Sequence, residues 1–196
     1  MPRRDFEASY ATGDAPWDLG APQPEIVALE ADGEIVGDVV DLGCGTGENA
    51  LFLASRGRRV VGVDAAPTAI ELARRKAAER RLPVQFLVAD AFQLAKLRRR
   101  FETGVDSGLF HVFDRPDRRA YAQSLCEVLS PGSTLHVLCF SDAEPPGPGP
   151  HRISEGDVGD AFRGIFTLQR IRPARFVDRV HGPEGARAWL ATLVRI

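Results

Sequence analysis

Three short stretches of the sequence carry residues whose types and spacing suit the binding of a nucleoside. The run from Asp41 to Gly47, DLGCGTG, holds three glycines that let a ligand approach the main chain without a Cβ in the way. Asp64 follows 21 residues after Gly43, where a carboxylate can accept hydrogen bonds from both ribose hydroxyls. Asp90 is followed by an alanine and a phenylalanine, which suits an adenine amino group beside an apolar ring. These stretches predict a nucleoside-binding cleft.

The glycine run departs from the two common phosphate-binding motifs. A dinucleotide fingerprint, G-x-G-x-x-G, needs a third glycine at the position that Glu48 occupies. A P-loop needs a G-K-[ST] ending, which is absent here. Instead an acid, Asp41, precedes the glycines and could meet a cationic or amino-bearing group. The run therefore favours a ligand with an amino group over one with a pyrophosphate.

Alternating strands and helices are predicted to position these residues. The β-branched runs that end at the acidic residues have the length and composition of buried strands. Strands are predicted at 39–42, 59–63, 84–88, 104–110 and 134–140, with two more near 165–172 and 187–195. Helices are predicted at 47–56, from Pro67, from about 114, and from Ser154, where Ser154-x-x-Asp157 forms a capping box.

This alternation predicts the fold class. Strands that alternate with helices imply right-handed crossovers and a parallel sheet covered on both faces. The last two strands come without a full helix between them, which places one antiparallel strand in the sheet. We therefore predict an α/β fold, a Rossmann-like three-layer αβα sandwich with a mostly parallel seven-stranded sheet. Ligands of such sheets bind at the carboxyl ends of the strands.

Composition excludes several classes of protein. The chain has 196 residues, of which 44% are hydrophobic and 27% charged, the balance of one globular domain. Lys and Arg total 25 against 27 Asp and Glu, which argues against a nucleic-acid partner. No apolar run approaches the roughly 18 residues that span a bilayer, and no secretory signal is evident, so no membrane role is expected. Three scattered cysteines predict no disulfide scaffold, no metal site and a cytoplasmic location.

The three motifs together resemble a known family. The runs VVDLGCGTG, VVGVD and VAD are similar to the S-adenosylmethionine-binding core of class I methyltransferases, over roughly residues 36–140. The resemblance implies S-adenosylmethionine as cofactor and S-adenosylhomocysteine as product. It also implies that Asp41 sits behind the glycine run, holding it or receiving the amino group through water. The residues implied to bind the cofactor are Trp17, Asp41, Gly43, Gly45, Gly47, Asn49, Asp64, Ala65, Asp90, Ala91, Phe92 and Ser107.

A second resemblance narrows the family. Residues 15–24, APWDLGAPQP, are similar to the PWDxGxxxP stretch of thiol, halide and thiopurine S-methyltransferases. The stretch after the fourth strand, and a Pro/Gly-rich loop that leads to His151, also resemble that group. The implied organisation is a single domain, 1–196. Its parts are a covering N-terminal segment (1–35), a cofactor-binding core (36–140), a lid-like loop (141–153) and a C-terminal helix and strand pair (154–196).

The resemblance implies methyl transfer to a small molecule, and the residues suggest how. His111 follows the fourth strand at the edge of the cleft and is the candidate general base, since a phenol gains more from a base than a thiol does. His151 and Arg152, on the lid-like loop, could contact an anionic acceptor. Tyr10 and Phe110 complete the candidate acceptor-binding residues.

The acceptor itself is left open between alternatives. A thiol or thiopurine-like sulfur is the first expectation, and a phenolic or heterocyclic O- or N-acceptor is the alternative. A non-catalytic S-adenosylmethionine binder and an NAD(P)-dependent oxidoreductase are further alternatives, the latter disfavoured by Glu48. We expect a small-molecule partner, and a monomer or weak homodimer.

Overall fold

The computed structural model describes residues 6–196, whose strands form a single seven-stranded sheet. The strand order is β3-β2-β1-β4-β5-β7-β6, and β7 runs antiparallel to both of its neighbours while all other pairs are parallel. The strands are β1 (Asp38–Leu42), β2 (Arg59–Asp64), β3 (Gln85–Val88), β4 (Phe101–Ser107), β5 (Leu129–Phe140), β6 (Phe166–Phe176) and β7 (Ala186–Arg195).

Within residues 6–196, six α-helices flank this sheet. They are α1 (Phe6–Thr12), α2 (Pro24–Ala31), α3 (Glu48–Ser55), α4 (Pro67–Arg80), α5 (Arg115–Leu125) and α6 (Glu155–Phe162). Short 3-10 helices occupy Leu94–Leu97 and Phe110–Val112. None of the helices within residues 6–196 is long and apolar enough to cross a membrane.

Two hydrophobic cores lie on opposite faces of the sheet. Side chains alternate between faces along a strand, so Val40 and Leu42 of β1 enter one core while Val39 enters the other. The first core includes Tyr121 of α5, and the second includes Leu51 of α3. The protein is therefore a three-layer αβα sandwich, and the predicted Rossmann-like fold class with one antiparallel strand is confirmed.

Local signals explain where several elements begin. Ser154 accepts a hydrogen bond from the Asp157 amide while the Asp157 carboxylate accepts one from the Ser154 amide, the predicted capping box. Asp114 caps α5 by accepting from the Asp117 amide at 3.0 Å.

The predicted bounds of the fourth strand are wrong. The strand ends at Ser107 because the Asp106 carboxylate accepts the amides of Leu109 and Phe110 at 2.9 and 3.1 Å, which turns the chain away from the sheet. It starts at Phe101, directly after an arginine run. β5 also starts earlier than predicted, at Leu129.

The described part of the N-terminal segment lies against the sheet's carboxyl edge as two short helices and a connecting stretch. Gln23 fastens this stretch: its amide nitrogen donates to the Val177 carbonyl, and its amide oxygen accepts from the Val177 amide, at 2.8 and 2.9 Å. Arg179 donates to the carbonyls of Ala15 and Pro16. The segment is thus held by the β6–β7 connection (residues 177–185). Residues 1–5 of the predicted segment lie outside the described residues.

Candidate functional site

The carboxyl ends of β1 to β4 bring the predicted residues to one edge of the sheet. The glycine loop (residues 43–47) follows β1, and Asp64 ends β2. Asp90 follows β3, and Ser107 ends β4. Parallel strands end at a common edge, so four stretches that are distant in sequence share one cleft.

The glycine loop needs glycine for its conformation and for close packing. Gly43, Gly45 and Gly47 all have positive φ angles, of 66°, 53° and 88°. A Cβ on Gly47 would come within 2.6 Å of the Phe86 ring, and one on Gly45 within 2.6 Å of the Tyr10 hydroxyl. The loop is therefore covered closely on both sides, and its main chain can approach a ligand.

Asp64 ties the loop to β2. Its Oδ2 accepts a hydrogen bond from the Gly45 amide, and its Oδ1 accepts one from the Ala66 amide, both at 2.9 Å. Burial raises the pKa of this carboxyl above its usual range, although the amide bonds oppose the rise. The neighbouring Ala65 is exposed. Each carboxylate oxygen has a further lone pair, which leaves Asp64 able to accept from a ligand hydroxyl.

Asp41 lies behind the loop and not on its surface. Its side chain is 1% exposed, and its Oδ2 accepts from the Ala50 amide at 3.1 Å in the first turn of α3. Burial raises the pKa of Asp41 to about 7. Of the two roles implied for Asp41 behind the loop, holding the chain in place matches the hydrogen bond from the Ala50 amide.

The two residues after the loop serve structural contacts. Glu48 is buried and pairs with Lys76 at 2.8 Å and Arg80 at 2.7 Å. Burial would raise its pKa, but hydrogen bonds from Arg80 and Lys76 outweigh this, and the pKa of Glu48 is lowered. The Asn49 oxygen accepts from the Gln23 amide at 2.9 Å, so this predicted cofactor residue holds the N-terminal segment.

The predicted adenine residues lie at an open part of the edge. Asp90 is exposed, and its two oxygens accept from the Phe92 amide and from the Gln93 side chain. The Phe92 ring lies 4.9 Å from that of Phe113, and Ala91 is half-buried. A surface depression here is lined by Leu87, Val88, Ala89, Asp90, Gln93, Lys96 and Leu97.

Ser107 carries an unpartnered polar atom at the centre of the edge. Its Oγ is buried and has no hydrogen-bond partner within residues 6–196. The glycine loop begins on the neighbouring strand, since Leu42 of β1 pairs with Asp106 of β4 and Gly43 and Ser107 are the next residues. A buried hydroxyl without a partner is costly, so this position suits a ligand that supplies one.

Tyr10 and Trp17 close the loop from the N-terminal side. The Trp17 indole nitrogen donates to the Tyr10 hydroxyl at 2.8 Å, and the rings meet edge to face. Tyr10 is buried and its hydroxyl lies over Gly45. The structure therefore places Tyr10, predicted for acceptor binding, against the cofactor loop.

The geometry of His111 does not fit the general-base role predicted for it. Its ring is buried between Phe140 and Phe176, and its Nδ1 accepts the Phe140 amide at 3.0 Å. The proton of the neutral ring therefore resides on Nε2, which makes that atom a donor. Burial, with the nearby charge of Arg118, lowers the pKa of His111 to about 3.

Phe110 also lies elsewhere than expected. Its ring is 0% exposed, stacks on Phe162 at 5.4 Å and faces the Arg118 guanidinium. Burial on the α5 and α6 side makes it part of the hydrophobic core, so it does not face an open acceptor pocket.

Asp106 is a residue that the sequence analysis missed. It is fully buried, accepts the Tyr121 hydroxyl at 2.9 Å, and fixes the turn that carries Ser107 and His111. Burial raises its pKa to about 6. An acid followed by Ser-Gly at the end of a strand is a turn signal, and this pattern could have located it.

The lid loop (residues 141–153) is closed at its base by a bridge between Ser141 and Ile153. Glu144 accepts the Arg187 amide at 2.7 Å and lies 3.6 Å from the Nε2 of His181, in the β6–β7 connection. His151 is exposed, and its amide donates to the His111 carbonyl at 3.0 Å.

These residues fit S-adenosylmethionine. A ligand can come close to the main chain of the glycine loop, and Asp64 at the end of β2 can accept hydrogen bonds from the hydroxyl groups of a ligand. The buried Ser107 hydroxyl, which has no partner within residues 6–196, can also bond to a ligand. Glu48, which occupies the position of the third glycine in a dinucleotide motif, forms ion pairs with Lys76 and Arg80 of α4 and so has a structural role.

Comparison with known proteins agrees with this geometry. A family described as a methyltransferase domain matches residues 39–132. A 2-heptyl-1-hydroxyquinolin-4(1H)-one methyltransferase of Mycobacteroides abscessus is 44% identical over 181 residues, 87% of this chain and 79% of that protein. A probable thiol methyltransferase of Arabidopsis thaliana is 34% identical over 154 residues, 76% of this chain and 67% of that protein.

A solved structure is similar over nearly the whole chain. It comes from work on the conversion of a disulfide bond into a thioacetal group during echinomycin biosynthesis. The two chains are 39% identical, with a TM-score of 0.88 that covers 98% of this chain and 92% of the other. The chain belongs to the S-adenosylmethionine-dependent methyltransferases that act on small molecules.

Proposed function

We propose that this methyltransferase acts on a small aromatic acceptor that reacts through an already ionised heteroatom, in first place a thiol or thiopurine-like sulfur. The observation that carries the proposal is the Phe140 amide on Nδ1 of His111. With its lone pair engaged there and its pKa lowered, this ring is unsuited to removing a proton from the acceptor.

Sulfur acceptors need little help with proton removal. A thiol with a pKa near 8.5 is a few per cent thiolate at neutral pH, and the thiolate is a strong nucleophile. A phenol with a pKa near 10 is ionised far less under the same conditions. A site without a base at the β4 end therefore favours sulfur, and the similarity to a thiol methyltransferase supports this choice.

The chain contributes binding, orientation and exclusion of water. S-Adenosylmethionine, when bound, supplies an electrophilic methyl group on a sulfonium centre. The glycine loop and Asp64 hold the cofactor, and Ser107 donates to it or accepts from it. Tyr10 and Trp17 shield the loop from water. Positioning of this kind can contribute on the order of 7–11 kcal/mol to a two-substrate reaction.

One assay tests the proposal. Labelled S-adenosylmethionine is offered with an aryl thiol, a thiopurine and several hydroxylated heterocycles, and the products are identified by mass spectrometry. We expect S-methyl products to dominate. The pH dependence of kcat/KM for a series of thiols should follow the pKa of each thiol. A single inflection shared by all thiols would reveal an enzyme base and contradict the proposal.

A hydroxylated heterocycle is the second candidate acceptor. The similarity to the hydroxyquinolinone methyltransferase favours it. His151, which is exposed on the lid loop beside His111, is a histidine with which such an acceptor could exchange a proton. An O-methyl product whose formation is slowed by His151→Gln, with Arg75→Gln as a surface control, would establish this candidate.

We also propose how the chain is organised and where it acts. We infer that residues 1–196 act as one domain and that residues 141–153 move as a lid about the Ser141–Ile153 bridge. Free thiols at Cys44, Cys126 and Cys139 support a reducing, cytoplasmic setting. A monomer or weak homodimer without a nucleic-acid partner is the expected state, to be checked by light scattering.

A further inference from the structure

A second depression lies between the start of α5 and the lid loop. Its lining residues are Asp114, Arg115, Arg118, His151, Arg152 and Asp157. We call it the Arg118 depression. It borders the segment that follows β4, since the His151 amide donates to the His111 carbonyl and Arg118 packs over the Phe110 ring at 5.5 Å.

Arg118 is a buried cation with unused donors. Its side chain is 6% exposed, and its Nε donates to the Phe113 carbonyl at 2.9 Å. Its Nη1 lies 3.6 Å from Asp157, beyond hydrogen-bond distance, and its terminal nitrogens have no hydrogen-bond acceptor within residues 6–196. A guanidinium this little exposed keeps only limited contact with water, so an acceptor that reaches its terminal nitrogens is favoured.

The carboxylates of the depression are largely engaged elsewhere. Asp157 accepts from the amide and hydroxyl of Ser154 through Oδ2, and from Arg115 through Oδ1. Asp114 accepts the Asp117 amide as the cap of α5. These bonds leave Arg118 with one counter-ion, Asp157, at a distance of 3.6 Å that is too long for a hydrogen bond.

Arg152 adds further positive charge from the lid. Its three guanidinium nitrogens donate only to main-chain carbonyls, those of Pro145 and Pro150, within the described residues. Three guanidinium groups therefore face two carboxylates in the depression. A planar guanidinium with two free terminal nitrogens matches the two oxygens of a carboxylate.

We propose that the Arg118 depression binds the carboxylate, or a similar oxyanion, of an acidic acceptor, with Arg118 as its principal donor and Arg152 closing over it from the lid. This inference rests on the proposed function, because it assigns the substrate class of the same site. It makes Arg118 a specificity-determining residue and predicts acceptors that carry a negative charge away from the methylated atom.

Two matched acceptors test the proposal. 4-Mercaptobenzoate and benzenethiol are compared as substrates of the wild-type enzyme, R118Q, R118K and the surface control R75Q. We expect a KM for the carboxylate at least about 10-fold lower than for benzenethiol in the wild type and in R75Q. R118Q should abolish this preference, and R118K should keep part of it. The ratio of the two KM values within each variant separates recognition from folding, because a folding defect affects both acceptors alike.

Two results would overturn the proposal. One is a wild-type enzyme that takes both thiols with equal KM. The other is an R118Q variant that raises both KM values by the same factor. If inorganic phosphate competes at the depression while the acid is not preferred, the site binds a free anion and the assignment to an acceptor is wrong.

A binding experiment keeps the inference testable should neither thiol be methylated. Benzoate is titrated into the enzyme saturated with S-adenosylhomocysteine, and the change in Tm is compared between the wild type and R118Q. Stabilisation of the wild type alone supports an anion site independently of turnover. Equal shifts in both proteins, or none in either, would count against it.

Discussion

The cofactor side and the acceptor side of the cleft are covered in different ways. Neutral hydrogen bonds fasten the N-terminal segment over the glycine loop, such as those between Gln23 and Val177 and between Trp17 and Tyr10, and ion pairs such as Glu25–Arg172 add to them. The lid loop meets the β6–β7 connection through ionisable side chains, with Glu144 facing His181. Ionic contacts respond to pH and salt, whereas buried amide pairs respond little.

This difference corresponds to two tasks: binding of the cofactor, which stays the same, and binding of the acceptor, which can vary. On the cofactor side, positions are determined by main-chain geometry that few residues can provide, as at Gly47. On the acceptor side, solvated charges on a loop can be exchanged without disturbing the sheet. The same scaffold can therefore keep its cofactor while its acceptor changes.

The largest expected effect belongs to Gly47→Ala. A Cβ at this position would lie 2.6 Å from the Phe86 ring and 3.0 Å from the Ala73 side chain, and the positive φ is unfavourable for alanine. We therefore expect the free energy of unfolding to fall by about 2–5 kcal/mol. Gly57 has the same φ of 88° with nothing near its Cβ, and Gly57→Ala should cost only about 1–2 kcal/mol. Urea denaturation measures both. Equal losses would show that packing at the loop is unimportant.

Asp64→Asn is the next test. The amide oxygen can still accept the Gly45 amide, but the amide nitrogen cannot accept the Ala66 amide, and the charge that favours ligand hydroxyls is lost. We expect the Kd for S-adenosylhomocysteine to rise roughly 10- to 100-fold while the KM of the acceptor changes little. Calorimetry measures the Kd. Asp38→Asn, at the opposite edge of the sheet, is the control, and an unchanged Kd in Asp64→Asn would refute the ribose assignment.

His111→Asn tests the structural role of that ring through pH. The pKa of His111 is lowered from 6.5 to about 3, so the folded protein binds fewer protons there than the unfolded chain. Wild-type stability should therefore fall as the pH drops from 6.5 towards 3, by up to about 1.4 kcal/mol per pH unit from this group.

The asparagine oxygen can still accept the Phe140 amide but cannot titrate, so the variant should lack that part of the acid destabilisation. Denaturation at a series of pH values compares the two proteins. Identical pH dependence would show that His111 is not buried in its neutral form. The kcat profile above pH 7 should be the same in both, in contrast to the loss of a base.

The smallest effect is expected from Glu144→Gln on the lid. The substitution removes the charge of a carboxylate that lies 3.6 Å from the His181 Nε2, a contact that is an ion pair only when the ring is protonated and is then worth at most about 1 kcal/mol. We expect the KM of the acceptor to rise about 2- to 5-fold, with the Kd of the cofactor unaltered when no acceptor is bound. The effect should vanish in high salt, and Glu155→Gln on α6 is a control. If the Kd of the cofactor changed more than the KM of the acceptor, the lid loop would serve the cofactor side and the comparison would be wrong.

Much of the fold was predictable because the cofactor motifs end strands. Asp64 and Asp90 each follow a β-branched run, and this pairing of a strand with a terminal acid located the edge of the sheet. The capping box at Ser154 was a purely local signal and is present.

The acceptor side was less predictable because its contacts are long-range. Phe110 and His111 follow a strand, as ligand-binding residues often do, yet the Asp106 side chain turns the chain so that both enter the interior. The Phe140 amide on His111 and the exclusion of Arg118 from water both depend on packing between distant elements. Sequence spacing carries no record of such contacts.

The β6–β7 connection contacts both the N-terminal segment and the lid loop. Val177 and Arg179 hold the N-terminal segment, while His181 faces the lid. We propose that this shared anchor couples the two binding equilibria, and any such coupling is reciprocal. We therefore expect bound cofactor to tighten the acceptor by the same factor that the acceptor tightens the cofactor. A substitution that changes the affinity for one substrate through this connection will also change the residence time of the other on the enzyme.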